Sequence, residues 1–167
     1  LWLEKAGLIH RVFRLGTAKK PLKAYAKDNI FKIYSLDVGL LGALANLTAR
    51  DILQGSYHLQ EFKGALAENY VVQELKAAHG LDLFYWESSG SAEVDIVLES
   101  SGHIFPLEVK AGTNFKSQSL KSFDNKFSPA QLGRTSLLNL KYDDKILNIP
   151  LYAISRLPYY IEKNRDI

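Results

Sequence analysis

The chain contains no cysteine, which excludes disulfides and thiolate zinc sites. Its four histidines, His10, His58, His79 and His103, are scattered without metal-ligand spacing, so any metal would sit on oxygen. No apolar run approaches the roughly 18 residues of a membrane span, and no charged-then-apolar leader opens the chain. It therefore reads as soluble, with no membrane partner, and the cytoplasm is the expected compartment. No GxxxxGK[ST] phosphate loop occurs, so these residues should not bind ATP. Low-complexity segments and internal repeats are missing too. There is no initiator Met, and the opening Leu-Trp-Leu-Glu-Lys-Ala-Gly reads as the end of a helix stopping at Gly7. A fragment of a longer protein is expected.

What is present suffices for a folded domain: 167 residues, 47% of them hydrophobic, can bury a proper core. The net charge of +3 hides a pattern. Residues 1–60 carry nine Lys/Arg and four Asp/Glu, residues 61–110 three and nine, and residues 111–167 nine and five. An acidic centre thus lies between basic flanks, which suits a cation site bordered by surface that attracts phosphates; ordinary solvated faces would show the same mild bias.

The acidic centre holds EVDIVLESSGHIFPLEVKAG, residues 93–112, two alternating runs around Ser-Ser-Gly-His. With Ser101 and Gly102 as a two-residue hairpin turn, Ser100 faces His103. The same register sets Asp95 opposite Glu108, and Glu93 opposite Lys110 on the same face. Like charges directly opposed across a sheet are destabilising. A cation between the carboxylates, or a shared proton, would make the pair tolerable. Oxygen ligands of this kind suit Mg²⁺, with Mn²⁺ as an alternative, because Mg²⁺ takes one or two carboxylates and keeps several waters. Lys110 can then orient a water or steady charge on a phosphate oxygen.

The preceding run ALAENYVVQELKAAH has helical spacing, with Gly80 as its stop. A stripe on Val71, Val72, Leu75 and Ala78 extends back to Glu68, placing a third carboxylate on the apolar face or at its edge near the helix start. Residues 81–87 read as a strand, residues 117–127 as a helix, and residues 135–140 and 149–154 as strands. Residues 55–63 look irregular. Upstream, residues 8–15 and 30–35 read as strands around a loop holding Lys19, Lys20, Lys23 and Lys27. Helix end, strand, basic loop, strand matches the close of a winged helix, whose wing lysines would touch the phosphate backbone of DNA. Asp37 is placed to cap a helix over residues 38–47.

Asp95, then Glu108-x-Lys110 on the next strand, preceded by helical Glu68, resembles the PD-(D/E)XK nuclease superfamily. More closely, FKIYSLDVGLLGAL, GALAENYVVQEL, YWESSGSAEVDIVLE, PLEVKAG and IPLYAI are similar to the domain of unknown function that follows the ATPase module of many AAA-type ATPases. That resemblance spans nearly the whole chain. It implies an α/β fold with a restriction-endonuclease-like mixed sheet flanked by helices, residues 48–167, behind a winged-helix remnant and linking helix, residues 1–47. It implies Glu68, Asp95 and Glu108 as ligands of Mg²⁺, Lys110 as the catalytic lysine, and an upstream ATPase module as partner. Val94 stands where the superfamily motif has proline. Three expectations follow: a nuclease or nuclease-like domain acting on DNA; a non-catalytic module docking DNA or a partner protein; or a structural Glu93–Lys110 salt bridge with Asp95 and Glu108 left solvated.

Overall fold

Alternation and turn chemistry build the centre of the sheet. In the computed structural model, which describes residues 2–54, 57–113 and 117–163, strands β4 and β5 pair in the expected register from Ile96↔Leu107 to Ser100↔His103. Ser101 and Gly102 both have positive φ, as a two-residue primed turn requires.

Around this hairpin the order is α1 (Trp2–Lys5), β1 (Ile9–Leu15), β2 (Ala26–Ser35), α2 (Val38–Leu44), α3 (Ala49–Gln54), α4 (Tyr57–His79), β3 (Leu83–Glu87), β4 (Glu93–Ser100) and β5 (His103–Val109). There follow α5 (Gln118–Phe127), β6 (Leu132–Ser136), β7 (Lys141–Asp143), β8 (Ile146–Pro150) and α6 (Leu157–Lys163). Eight strands form one mixed sheet in the order β2-β1-β3-β4-β5-β6-β8-β7. β1–β3, β5–β6 and β6–β8 are parallel; the other pairs are antiparallel.

Alternating side chains feed two cores. On one face Val71, Val72 and Leu75 of α4 pack with Ile96, Leu98 and Leu107, and α6 adds Leu157 and Ile161. On the other, Leu120 and Phe123 of α5 pack with Phe84, Trp86 and Val97. Trp86 meets Phe123 edge to face with centroids 5.3 Å apart, a favoured geometry for aromatic quadrupoles.

The strands read as a wing belong to this same sheet, through β1 beside β3. Their lysine-rich loop is tied down rather than projecting. Ala18 and Leu22 are buried with the α5-side core, the Leu22 N–H donates to the Glu99 carboxylate, and Lys20 Nζ donates to the Gly102 carbonyl at 2.6 Å.

Several boundaries differ from expectation. α4 is helical from Tyr57, where irregular chain was expected; residues 55 and 56 of that stretch lie outside the described residues. Ala78 is exposed, and Ala67 takes a place in the core instead. The strand expected over residues 135–140 is β6, shifted towards the N-terminus, while Leu137 and Leu140 are exposed. Gly133 explains part of the shift: a Cβ there would stand 2.2 Å from Phe105 Cε1, so only glycine lets β6 lie against that ring. The last expected strand is β8, ending at Pro150, after which a 3-10 turn, Leu151–Arg156, leads into α6.

Candidate functional site

A β-bulge sits at the acidic end of the sheet. Trp86 pairs with Val94 and Phe84 with Val97, so Asp95 and Ile96 together oppose Tyr85. Val94 and Val97, three residues apart, both enter the α5-side core, while Ile96 enters the α4-side core. Bulges bend the strand and re-aim a side chain. Here the β4–β5 ladder closes at Ile96↔Leu107, and the Val109 N–H donates to Asp95 Oδ2 at 2.7 Å.

Asp95 is half-buried. Burial pushes its carboxyl up to about 7; the Val109 N–H opposes the rise, Glu68 adds to it, Lys32 opposes it, and Glu108 adds again. Two carboxylates and an ammonium therefore lie within electrostatic reach of Asp95. Glu108 is buried on β5, its side chain 5% exposed, and its Oε1 meets Lys110 Nζ at 2.7 Å. Its other oxygen, Oε2, is buried without a hydrogen-bond partner among the described residues. Leaving such a group unsatisfied costs about 1–3 kcal/mol, and more when it is charged. Lys110, one residue past β5, is held by its own N–H to the Thr135 carbonyl at 2.9 Å.

Glu68 is bound differently. Asn69 of α4 clamps the helix to β2, accepting the Ser35 N–H at 2.7 Å and donating to the Ser35 carbonyl at 3.2 Å. Beside that clamp, the Tyr34 hydroxyl donates to Glu68 Oε2 at 3.1 Å, and Lys32 Nζ lies 3.8 Å from the same oxygen. Lys32 also ion-pairs with Glu93. Burial pulls the Lys32 ammonium down, but its bond to Glu93 and the charges of Glu68, Glu93 and Asp95 outweigh this and raise it. Burial, then Glu68, Asp95 and Glu93, push the Tyr34 hydroxyl far up, so it stays a donor.

Glu68, Asp95, Glu108 and Lys110 thus gather at one end of the sheet. The salt bridge weighed between Glu93 and Lys110 is not formed: Glu93 pairs with Lys32, Lys110 with Glu108, and Glu108 is buried rather than solvated. Among the described residues no three His, Asp or Glu side chains stand ready to hold one metal ion. The Asp95 and Glu108 carboxylates nevertheless fit a hard cation such as Mg²⁺, which takes one or two carboxylates and completes its shell with water. The unpartnered Glu108 Oε2 is the atom such an ion would satisfy. Lys19 and Lys23 are exposed on the β1–β2 loop, and Lys20 is bound at the β4–β5 turn.

A family model described as a domain of unknown function (DUF4143) matches residues 63–154, more than half of the chain. The chain belongs to this family. A second model, also a domain of unknown function (DUF8612), matches residues 1–51, so the β1–β2 hairpin lies outside the DUF4143 match. Two curated relatives, the uncharacterized proteins Mb2031c of Mycobacterium bovis and Rv2008c of Mycobacterium tuberculosis, are each 34% identical over 93 residues. Those residues are 54% of this chain and 20% of each relative, so the chain spans about a fifth of their length. No solved structure matches the chain. Among the described residues, no helix is long and apolar enough to cross a membrane.

In this DUF4143 chain, sequence reading missed Lys32, Asn69 and Arg134. In IFKIYS the apolar residues Phe31 and Ile33 suggest the inward stripe, yet Ile33 is 56% exposed. Lys32 and Tyr34 share the other face, where Lys32 opposes the buried Val12. The signal was Tyr34 two residues from a lysine. Arg134 is buried on β6 in register with Glu108 and donates to Asn148 Oδ1 at 3.2 Å and Ser117 Oγ at 3.4 Å. Burial pulls its guanidinium down, partly offset by Glu108.

Proposed function

We propose that the chain is a nuclease-like DNA-processing domain of the PD-(D/E)XK type, using Mg²⁺ or Mn²⁺ and joined to an AAA-type ATPase module elsewhere in its full-length protein. The observation that carries this reading is the buried Glu108 Oε2, without a hydrogen-bond partner among the described residues, beside a half-buried Asp95 and Lys110, which is paired with Glu108. The order α4, antiparallel β3–β4–β5, α5, then β6 parallel to β5 supports it as the arrangement that the sequence resemblance implies.

Asp95 and Glu108 would hold the ion, with Glu68 behind them on α4. When bound, it would lower the pKa of a water and draw charge from a phosphate oxygen. The chain's own residues supply the rest. The Val109 N–H and the bulge orient Asp95, and the Thr135 carbonyl anchors the backbone of Lys110. The Lys110 ammonium, 2.7 Å from Glu108, stands ready to stabilise negative charge on a phosphodiester during attack by water. Water donates its oxygen to phosphorus, and the ester oxygen leaves with a proton. Lys20 meets Gly102 at the turn end of the β4–β5 hairpin, away from Asp95 and Glu108, so Lys19, Lys20 and Lys23 would add sequence-independent attraction only to DNA that extends beyond the site.

A second reading is a docking module without turnover. It is favoured by an apolar groove of about 530 Å³ between α2 and α4, lined by Gly42, Leu47, Leu66 and Tyr70 among others, which the proposed chemistry does not use. The test is cleavage of single- and double-stranded DNA with Mg²⁺ or Mn²⁺ by wild type, Asp95→Ala and Lys110→Ala. Cleavage abolished in both variants supports the enzyme; equal behaviour of all three eliminates it.

A further inference from the structure

The four carboxylates at this end of the sheet are not equivalent. Asp95 accepts one backbone N–H, and Glu108 keeps a buried oxygen without a partner among the described residues. Glu68 and Glu93 are instead joined through Lys32, whose ammonium pairs with Glu93, lies 3.8 Å from Glu68 Oε2 and rests 5.1 Å above the Tyr85 ring. Tyr34 donates a hydrogen bond to the same Glu68 oxygen.

Nothing in the packing of β2 calls for a lysine there. Its neighbour across the ladder is the fully buried Val12, and its companion on the face, Tyr34, is buried in the α4-side core. An apolar residue would pack at least as well against Val12 and Tyr85. A charge half-withdrawn from water persists when it is paired, and three carboxylates, Glu68, Glu93 and Asp95, contribute to holding this one charged. Without Lys32, Glu68 and Glu93 would lose the ammonium that both pair with among the described residues. Like charges crowded in this way bind a divalent ion or take up protons.

We propose that the Lys32 ammonium is the site's built-in second cation, neutralising Glu68 and Glu93 and confining the divalent-ion site to Asp95 and Glu108. This rests on the metal-dependent reading above. Lys32 is accordingly a positioning residue: it holds Glu68 on the protein side of the site and limits the site to one divalent ion. A protonated amine occupies the place where a second ion would draw Glu68 and Glu93 in.

The experiment is a titration of the full chain with Mn²⁺, counting bound ions by calorimetry and by the paramagnetic signal of free Mn²⁺, for wild type, Lys32→Gln and Lys32→Arg. The expected stoichiometry is one ion for wild type and for Lys32→Arg, and two for Lys32→Gln. One ion in wild type and an unchanged single ion in Lys32→Gln overturns this inference and leaves the metal site standing. No ion in wild type overturns the metal reading itself, and this inference with it. If Lys32→Gln is unfolded without metal, Mn²⁺ must restore its melting transition as two ions bind; an unfolded chain indifferent to Mn²⁺ refutes the proposal. Removal of a purely structural lysine would not raise the ion count.

Discussion

Asp95→Asn should stabilise the metal-free protein at alkaline pH while removing its response to divalent ions. The amide keeps the shape of the carboxylate and an oxygen to accept the Val109 N–H, and it removes the charge. Burial and the flanking Glu68 and Glu108 push the Asp95 carboxyl up to about 7, against an ordinary 3.8, with the Val109 N–H and Lys32 opposing. Because the folded value is raised, the favourable contribution is complete at acid pH, fades as pH climbs past the ordinary value, and is gone above about 7. For these two values, wild type should lose about 2–3 kcal/mol of unfolding free energy between pH 5 and pH 8 that Asp95→Asn does not lose. Comparing the two proteins cancels titrations they share, and the groups facing Asp95 (Lys32, Tyr34, Glu68, Tyr85, Glu108) are the same in both. Urea unfolding in the presence of chelator, at pH 5 and pH 8, measures the difference. Mg²⁺ at about a hundred times its dissociation constant should then add about 2.7 kcal/mol to wild type and nothing to the variant. Equal pH slopes would show that Asp95 titrates alike in the folded and unfolded chain, and an Mg²⁺ response kept by Asp95→Asn would show that the ion binds elsewhere.

Lys110→Ala should lower the DNA cleavage rate about 10²–10³-fold, as removing one charge-stabilising donor does elsewhere, while Mn²⁺ still binds by calorimetry. Replacing both Lys19 and Lys23 by Gln should weaken duplex DNA binding and flatten its salt dependence, the log–log slope falling by about 0.9 for each phosphate no longer neutralised; an unchanged slope counts against the loop. Gly133→Ala should destabilise the fold by about 1–3 kcal/mol in thermal or urea unfolding, because its methyl would overlap the Phe105 ring. A neutral outcome would mean that β6 and β5 are not packed as described.

The hairpin was legible because its signals are local: Ser101-Gly102 demands a primed turn, and alternation on either side leaves a single register. α4 was half legible. Val71, Val72 and Leu75 mark its buried stripe, but Gly64 lowers helix propensity by about 1 kcal/mol and masked the earlier start at Tyr57. β6 was misplaced because LGRTS looks polar. Its Gly133 and Arg134 are explained by Phe105, Asn148 and Ser117, which are neighbours only in three dimensions. In the site, Glu68, Asp95, Glu108 and Lys110 were named from residue type and spacing. The bulge that turns Asp95 out of the plain ladder arises between β3 and β4, and the lysine that answers Glu68 from β2 depends on β1 lying beside β3, which no local pattern encodes. The basic loop is shorter than expected, because β2 begins at Ala26 and takes in Lys27, and its anchoring by Leu22 and Glu99 is hidden behind its lysines.

The proposed divalent cation would be held by Asp95 and Glu108. Crystals of the chain grown or soaked with Mn²⁺, measured for anomalous scattering, test it directly. An anomalous peak is expected between the two carboxylates, within about 2 Å of an Asp95 oxygen and of Glu108 Oε2, as for a small hard cation on oxygen. A well-ordered site with no peak there, and Glu108 Oε2 bonded only to water or to protein, would contradict it.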